Sequence, residues 1–141
     1  MTALVAGTAR ATRNDSLPKF STYVMTASKT IYEGALVMVT SSTQLALTGA
    51  DTASCKFVGI ATHTATSAAS GTTYITVKYD YDELLATAAD LTALAGISVA
   101  ISDDNTVDAV ATTSNDVLVG PIVYAPSTST AWVRIRGSAV A

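Results

Sequence analysis

The amino-acid sequence predicts an all-β fold, in the form of a compact β-barrel or sandwich of about eight strands. Thr and Val, which favour extended chain, are abundant, whereas the helix formers Glu, Lys and Gln are scarce. Apolar and polar residues alternate at period two over most of the chain after residue 30, as in half-buried strands. The chain also repeats itself, since GALVMVTSSTQLALT at 34–48 matches GISVAISDDNTVDAV at 96–110 in pattern without a gap.

The first 30 residues differ from the rest in charge. They carry four basic side chains and one acidic side chain, whereas residues 31–141 carry four basic and ten acidic ones. Large apolar residues are few and scattered in this stretch, so it has little core of its own. The sequence therefore predicts an extended N-terminal arm and junction over 1–30, and a barrel or sandwich body over 31–141.

Four strands are predicted in the first half of the body. Polar and apolar side chains alternate there, and Ile75, Val77 and Tyr79 share one face of the last strand. The polar turn Ser41-Ser42-Thr43 separates the first two strands. The predicted ranges are 36–40, 44–48, 57–62 and 72–79.

The pattern changes after Asp80. Apolar residues then recur at a spacing of three to four positions, at Leu84, Ala88, Leu91 and Ala95. This spacing is enough for one or two helical turns ending near Gly96, and an irregular segment would carry the same residues. We therefore expect a short helical or irregular crossover near 82–95.

The strand pattern restarts after Gly96 and repeats the first half. The second set of predicted strands covers 97–101, 106–111, 116–124 and 131–136. The repeat aligns Leu45 with Val107, and the segment 74–78 with 132–136. One copy of about 45 residues is too small to bury its apolar face alone, whereas two copies facing each other can. We expect half-repeats at 34–80 and 96–137 with pseudo-two-fold character.

Composition narrows the class of protein. Hydrophobic residues make up 49% of the chain, charged residues only 13%, and the net charge is −3, unlike a disordered chain. Small neutral side chains suit surfaces that pack against other chains, so self-association is expected. The sequence has no apolar stretch of membrane-spanning length, no apolar run typical of a signal peptide and no basic stripe beyond the arm. We expect no membrane and no nucleic-acid partner.

Few residues suggest chemistry. Cys55 and His63, the only cysteine and histidine, could be a thiol and its base, but no third orienting group is evident. The acidic cluster at 103–108 lacks EF-hand spacing and is typical of a hairpin turn. The acidic run at 79–83 fits the solvated end of a strand better than a catalytic carboxylate pair. The sequence predicts a protein that is not an enzyme, with no catalytic, cofactor-binding or metal site.

Several motifs of the body resemble those of one protein family. They are YEGALVMVT at 32–40, KFVGIAT at 56–62, LAGISVAISDDNTV at 94–107, VLVGPIV at 117–123 and WVRIRG at 132–137. In this order they resemble the decoration, or cement, proteins of tailed-bacteriophage heads. The resemblance spans about residues 31–137, and residues 1–30 match no motif of that family.

The resemblance implies a structural virion protein on the outer surface of the capsid, assembled in the host cytoplasm. It implies binding to the major capsid protein, self-association as a homotrimer, and bridging of capsomers that stabilises the capsid. We expect the arm to make the capsid contact, through the side chains of Leu4, Val5, Arg10, Arg13, Leu17, Lys19 and Phe20. Several arms joined in one oligomer would raise avidity about 10²–10⁴-fold.

Two other functions remain open from the sequence. One is a carbohydrate-binding module or adhesin on a virion surface, which needs aromatic stacking platforms. The aromatic residues available for stacking are Tyr74, Tyr79, Tyr81, Tyr124 and Trp132. The other is a different phage structural subunit, of the tail tube or of head completion, which would form rings or tubes.

Overall fold

The computed structural model of the protein describes residues 4, 6–7, 12–13, 17–70 and 72–136. This part of the chain contains thirteen β-strands and no helix, so the predicted all-β class is confirmed. In chain order the strands are β1 (Thr12–Arg13), β2 (Lys19–Val24), β3 (Thr30–Ile31), β4 (Leu36–Thr40), β5 (Ala46–Thr48), β6 (Cys55–Ala61), β7 (Ala65–Thr66), β8 (Tyr74–Tyr79), β9 (Tyr81–Thr87), β10 (Ser98–Ile101), β11 (Thr106–Ala109), β12 (Leu118–Tyr124) and β13 (Thr130–Ile135).

Five strands form a first sheet, which we call barrel 1. Its order is β2-β8-β6-β4-β5, and all neighbours are antiparallel. A parallel bridge joins Met25, directly after β2, to Ala46 of β5, and the Thr26 amide donates to the Ala46 carbonyl at 2.9 Å. These contacts bring the two ends of the sheet together. Buried side chains such as Val37 and Val77 fill the interior.

Five further strands form barrel 2, in the order β9-β11-β10-β12-β13. It closes because β9 pairs with both β13 and β11, the latter in parallel through Ala86 and Thr87. The short strand β1 adds to the remaining edge of β9, opposite Asp82 and Glu83. Closure protects most strand edges from pairing with other chains.

The two barrels have the same pairing, strand for strand. β2, β4, β5, β6 and β8 take the places in barrel 1 that β9, β10, β11, β12 and β13 take in barrel 2. In both barrels a bulge follows the pairing of a valine with a glycine at positive φ. These pairs are Val37 with Gly59 at φ 151° and Val99 with Gly120 at φ 155°. The internal repeat is thus present in the fold.

The repeat is larger than the sequence suggests. Each copy has five strands instead of four, because β2 and β9 are also equivalent. The pairing also corrects the alignment: Val39 pairs with Ala46 as Ile101 pairs with Val107, so Leu45 is not the equivalent of Val107. In the last strand, 74–79 corresponds to 130–135, because β8 pairs with β2 in the register in which β13 pairs with β9.

The helix considered near 82–95 does not form. Tyr81–Thr87 is strand β9, and only the segment between β9 and β10 is irregular. Leu85 is fully buried and Leu84 half-buried, so alternation continues across this stretch. The spacing of three to four residues has no helical meaning. Leu84 lies in β9, whereas Ala88, Leu91 and Ala95 lie in the irregular segment that follows it.

Part of the predicted arm belongs to the body. Strand β2 begins at Lys19 and pairs with β8 through all six of its residues. Leu4 is half-buried and packs against the core of barrel 1, while its amide donates to Asp104 Oδ1 of barrel 2 at 2.9 Å. The boundary predicted at residue 30 is therefore corrected from Lys19 onward. The sequence pattern does not predict β2, because only one face of this strand meets the core and few of its residues are therefore apolar.

Barrel 1 packs an outer side against barrel 2. Four outward apolar side chains share one core with residues of barrel 2: Leu36, Met38, Phe57 and Ile60. The equivalent side of barrel 2 is less covered, since Phe57 is 5% exposed and its equivalent, Leu118, is 53% exposed. The contact between the barrels is therefore unequal, and it covers this side of barrel 1 more than the equivalent side of barrel 2.

Short connections hold the barrels in place. Asp80, with φ 63°, is the single residue between β8 and β9 and so joins the two copies directly. The Asp51 carboxylate of barrel 1 accepts the amides of Ser114 and Asn115 of barrel 2, each at 2.7 Å. These bonds, that from Ser114 above all, lower the pKa of Asp51 below its ordinary value. The linkage gives the pair of barrels little freedom to hinge.

Candidate functional site: two partner-binding surfaces

Each barrel carries on its outside a row of three side chains from three adjacent strands, which we call the outer row. In barrel 1 it consists of Thr22 on β2, Thr76 on β8 and Thr62 directly after β6. The Thr22 and Thr76 hydroxyls lie 3.1 Å apart, and Thr62 Oγ1 donates to the Thr76 carbonyl at 2.9 Å. This row is polar and suits contact with water.

The outer row of barrel 2 is apolar. Leu84 on β9 pairs with Trp132 on β13 in the register in which the threonines of β2 and β8 pair, so these positions are equivalent. Val123 on β12 is the equivalent of Thr62. The residues that precede them pair in the same way, Ile122 with Val133 of β13 and Ala61 with Val77 of β8. Leucine, tryptophan and valine thus replace three threonines.

One further apolar side chain extends this row. Tyr124 is 52% exposed and lies opposite Trp132. Ile97 is also exposed, but it lies opposite Ile122, whose side chain is in the core of barrel 2, so Ile97 belongs to the inner face and not to the row.

Barrel 1 is built on the same pairing with threonines in the row, so the fold itself does not require apolar residues there. Leu84 and Trp132 are partly exposed, and Val123 and Tyr124 are exposed. Apolar clusters at the surface mark contact surfaces.

A second surface lies at the outer edge of β2. The Met25 amide donates to the Thr73 carbonyl beside β8, so by alternation the amides of Phe20 and Thr22 point away from β8. In barrel 2 the same edge receives β1, which pairs with Asp82, the equivalent of Phe20. Among the residues that the structure describes, no strand pairs with this edge of β2 along 19–24. The fold can therefore accept a strand here.

Apolar side chains surround the β2 edge. Leu17 is 88% exposed and Phe20 is 60% exposed. A groove of about 300 Å³ opens beside Phe20, and its other walls include Ile60, Lys78 and the fully buried Glu83. The lining also includes the partly exposed Glu33, so the groove combines apolar walls with side chains of both charge signs, which suits a peptide segment with mixed side chains.

Three of the predicted contact residues lie together at this edge. Leu17 precedes β2, and Lys19 and Phe20 begin it. Lys19 Nζ lies 3.0 Å from Asp80 Oδ2, and this hydrogen bond raises the pKa of Lys19. The pair is largely exposed, so it contributes little to stability.

Of the other predicted contact residues, Leu4 alone has a side chain that the structure describes, and it is not at this edge. Leu4 packs inward against barrel 1. Val5 and Arg10 lie outside the described residues, as does the side chain of Arg13. The backbone of Arg13 pairs with Asp82 within the same chain.

Cys55 and His63 do not form a catalytic pair. They lie at opposite ends of β6, eight residues apart in the sequence, which is about 25 Å along an extended strand. His63 Nδ1 instead lies 3.2 Å from the Thr62 hydroxyl. Burial raises the pKa of the Cys55 thiol and so disfavours its reactive thiolate form.

The acidic residues at 103–108 serve the β10–β11 turn. Asp103 Oδ1 accepts the Asn105 amide at 2.8 Å, and the amide and hydroxyl of Thr106 at 2.9 and 2.7 Å. Asp108 Oδ1 accepts the Ala109 amide at 2.8 Å. Within the described ranges, no three His, Cys, Asp or Glu side chains are grouped to hold a metal ion.

The acidic run at 79–83 is not a solvated strand end, so that prediction is wrong. Asp82 is buried and accepts Arg134 through both carboxylate oxygens, at 2.8 and 3.2 Å. This bond raises the pKa of Arg134. Glu83 and Tyr81 are also buried, because β9 lies between β13 and β1 and meets barrel 1. Of the aromatic side chains considered for glycan stacking, Tyr81 is therefore inaccessible.

No model of a known protein family matches the chain, and no curated protein matches it. Along the stretches that the structure describes, no helix is long and apolar enough to span a membrane.

Sequence reasoning does not identify the outer row of barrel 2. Leu84 lies in the segment expected to be a crossover, and Trp132 is aligned with Tyr74 by pattern instead of with Thr76. The contrast between threonines in barrel 1 and apolar residues in barrel 2 becomes visible only when the repeat is extended to β2 and β9.

Proposed function

We propose that the protein is a structural virion subunit that decorates the outer surface of a phage head. It binds the major capsid protein, self-associates, and bridges neighbouring capsomers, which stabilises the capsid. The resemblance of the strand motifs to head decoration proteins supports this role. Two closed barrels joined by short connections also suit this role. Little of the chain must become ordered when it binds, so the entropic cost of binding is small.

The observation that carries the proposal is the open edge of β2 beside two exposed apolar side chains, Leu17 and Phe20. In barrel 2 the corresponding edge is covered by β1. A strand of the capsid protein adds to β2 in the same way, and accepts the amides of Phe20 and Thr22. Backbone pairing of this kind gives affinity, and neighbouring side chains give specificity.

The docking element is thus a strand edge on a folded barrel instead of a free arm. Fully burying the Phe20 ring would contribute about 1.5–3 kcal/mol. One such contact is weak for a particle under internal pressure. Several copies joined in one oligomer make the later contacts intramolecular and raise avidity about 10²–10⁴-fold.

Phe20→Ser is expected to weaken binding to expanded phage heads that lack decoration protein by about tenfold, because the apolar ring no longer docks. Phe20→Pro should weaken it by about tenfold more, since proline also removes the amide at the edge. Proline is tolerated on edge strands, and β8 does not use this amide. Co-sedimentation with heads over a range of protein concentrations measures both affinities.

Tyr74→Ser is the matched control, because Tyr74 is an exposed aromatic residue on β8, away from this edge. It should bind heads like the original chain. Equal binding by all four proteins would remove the β2 edge from the mechanism. Failure of the unaltered protein to bind heads at micromolar concentration would refute the decoration role itself.

A further inference from the structure

We propose that the outer row of barrel 2 is the surface on which a second copy of this chain docks. This inference rests on the proposed function, which includes self-association without assigning a surface to it. The row consists of Leu84, Trp132 and Val123, with the exposed side chain of Tyr124 beside it.

The chain contains its own control for this surface. The same strands, in the same pairing, carry Thr22, Thr76 and Thr62 in barrel 1. Those threonines satisfy their hydroxyls locally and remain compatible with water. The apolar residues of the barrel 2 row are therefore not needed to build the barrel. Large apolar side chains at outward positions fit a surface that another molecule covers.

A second copy fits this row because of what covers the apolar outer side of barrel 1. Phe57 and Ile60 point outward from barrel 1, and both are buried against a barrel of the same fold. This chain thus already shows barrel-on-barrel burial of apolar outer strands. Barrel 2 keeps its equivalent of Phe57, Leu118, half-exposed, next to the strands that carry the row.

Charge is also compatible with a second copy. The row is flanked by the ion pair of Asp82 with Arg134, two residues along each strand from the pair of Leu84 with Trp132. The flank therefore has no net charge and does not select a strongly acidic or basic partner. When two copies meet row to row about a two-fold axis, the partly exposed Arg134 of each copy brings no unpaired charge into the contact, because the buried Asp82 of the same copy already neutralises it. Aromatic side chains at the centre with a polar rim are typical of such interfaces.

The test is the mass of the protein in solution, measured by light scattering and sedimentation from nanomolar to high micromolar concentration. The expected mass is that of two chains of 14.4 kDa, falling to one chain on dilution. The variant Leu84→Thr/Val123→Thr/Trp132→Thr transfers the barrel 1 row to barrel 2. It should weaken self-association by about 30-fold or more, as loss of an interface tryptophan commonly does.

A second variant keeps the proposal testable if the loss of Trp132 prevents folding. Val123→Thr/Tyr124→His places the barrel 1 residues at exposed positions only, and should weaken self-association by about tenfold. Tyr74→Thr, which likewise transfers the equivalent residue of the other barrel, is the control and should leave the mass unchanged.

A single-chain mass at every concentration would overturn the proposal, and so would folded row variants that self-associate like the original chain. Head binding separates this result from the decoration role. A row variant that is monomeric but still binds heads, with lower avidity, supports both proposals. Binding to heads by a chain that never self-associates would sink the docking surface alone.

Discussion

Replacing Gly120 by alanine is expected to lower the free energy of unfolding by about 4 kcal/mol. A Cβ at this position would lie 1.8 Å from the Arg134 carbonyl oxygen, which is backbone and cannot move aside without breaking the β12–β13 pairing. The φ of 155° is also unfavourable for alanine. Strain and overpacking each contribute about 1–3 kcal/mol. Chemical denaturation measures the change.

Gly96→Ala is the matched control, since Gly96 also has a positive φ of 85° but nothing lies within 4 Å of an added Cβ. It should destabilise by only about 1–2 kcal/mol, the conformational part of the effect. Gly59→Ala should resemble Gly120→Ala, because its Cβ would lie 2.6 Å from the Lys78 carbonyl oxygen. Equal effects at Gly96 and Gly120 would contradict the close approach of β12 and β13.

Ile60→Ala is expected to destabilise the protein by about 3 kcal/mol, because Ile60 is fully buried where barrel 1 packs against barrel 2. Unfolding should still occur in a single transition if this core couples the two barrels. A split into two transitions would show that the barrels unfold separately. Differential scanning calorimetry distinguishes these outcomes.

The repeat again supplies the control. Pro121 of barrel 2 occupies the position equivalent to Ile60 but is only half-buried. Pro121→Ala should change the free energy of unfolding by less than about 1 kcal/mol. If Pro121→Ala were as harmful as Ile60→Ala, the outer sides of the two barrels would be buried alike, contrary to the unequal contact described above.

Most strands of the body could be predicted from alternation alone. Strand β4 has its predicted bounds at 36–40, and strands β8 and β12 begin two residues later than expected. The pattern succeeds in β8 and β12 because one face of each strand meets an apolar interior and the other is at least partly exposed. Strand β4 is buried on both faces, and its end is marked by the polar turn that follows at 41–43. The turn around Asp103 also follows from its residues, since a carboxylate can accept the amides that a tight turn leaves unpaired.

Strands β2 and β9 escaped prediction for opposite reasons. β2 is polar, because its outward positions include Thr22 and only one face of it meets a core. β9 is buried on both faces over Tyr81, Asp82 and Glu83, so charged residues there do not indicate solvent. Missing these two strands conceals that each copy closes into a barrel.

The partner-binding surfaces follow from a comparison that pattern alone cannot make. Leu17 and Phe20 were expected in a contact, and the structure adds the open strand edge beside them. The strand pairing identifies Thr76 and Thr62 as the equivalents of Trp132 and Val123. Only this comparison shows that barrel 2 has apolar residues where barrel 1 has threonines. The difference between the two copies of the fold is therefore the basis on which we propose this surface as a contact.

If a second copy covers the outer row of barrel 2, assembly must shield the side chains of that row from solvent. Hydroxyl-radical footprinting of the assembled and the diluted protein measures this shielding, with oxidation of single side chains read by mass spectrometry. We expect Trp132 and Tyr124 to be protected in the assembled protein, while the exposed Tyr74 of barrel 1 is oxidised equally in both. Unchanged oxidation of Trp132 and Tyr124 on assembly would show that the row is not the contact between copies.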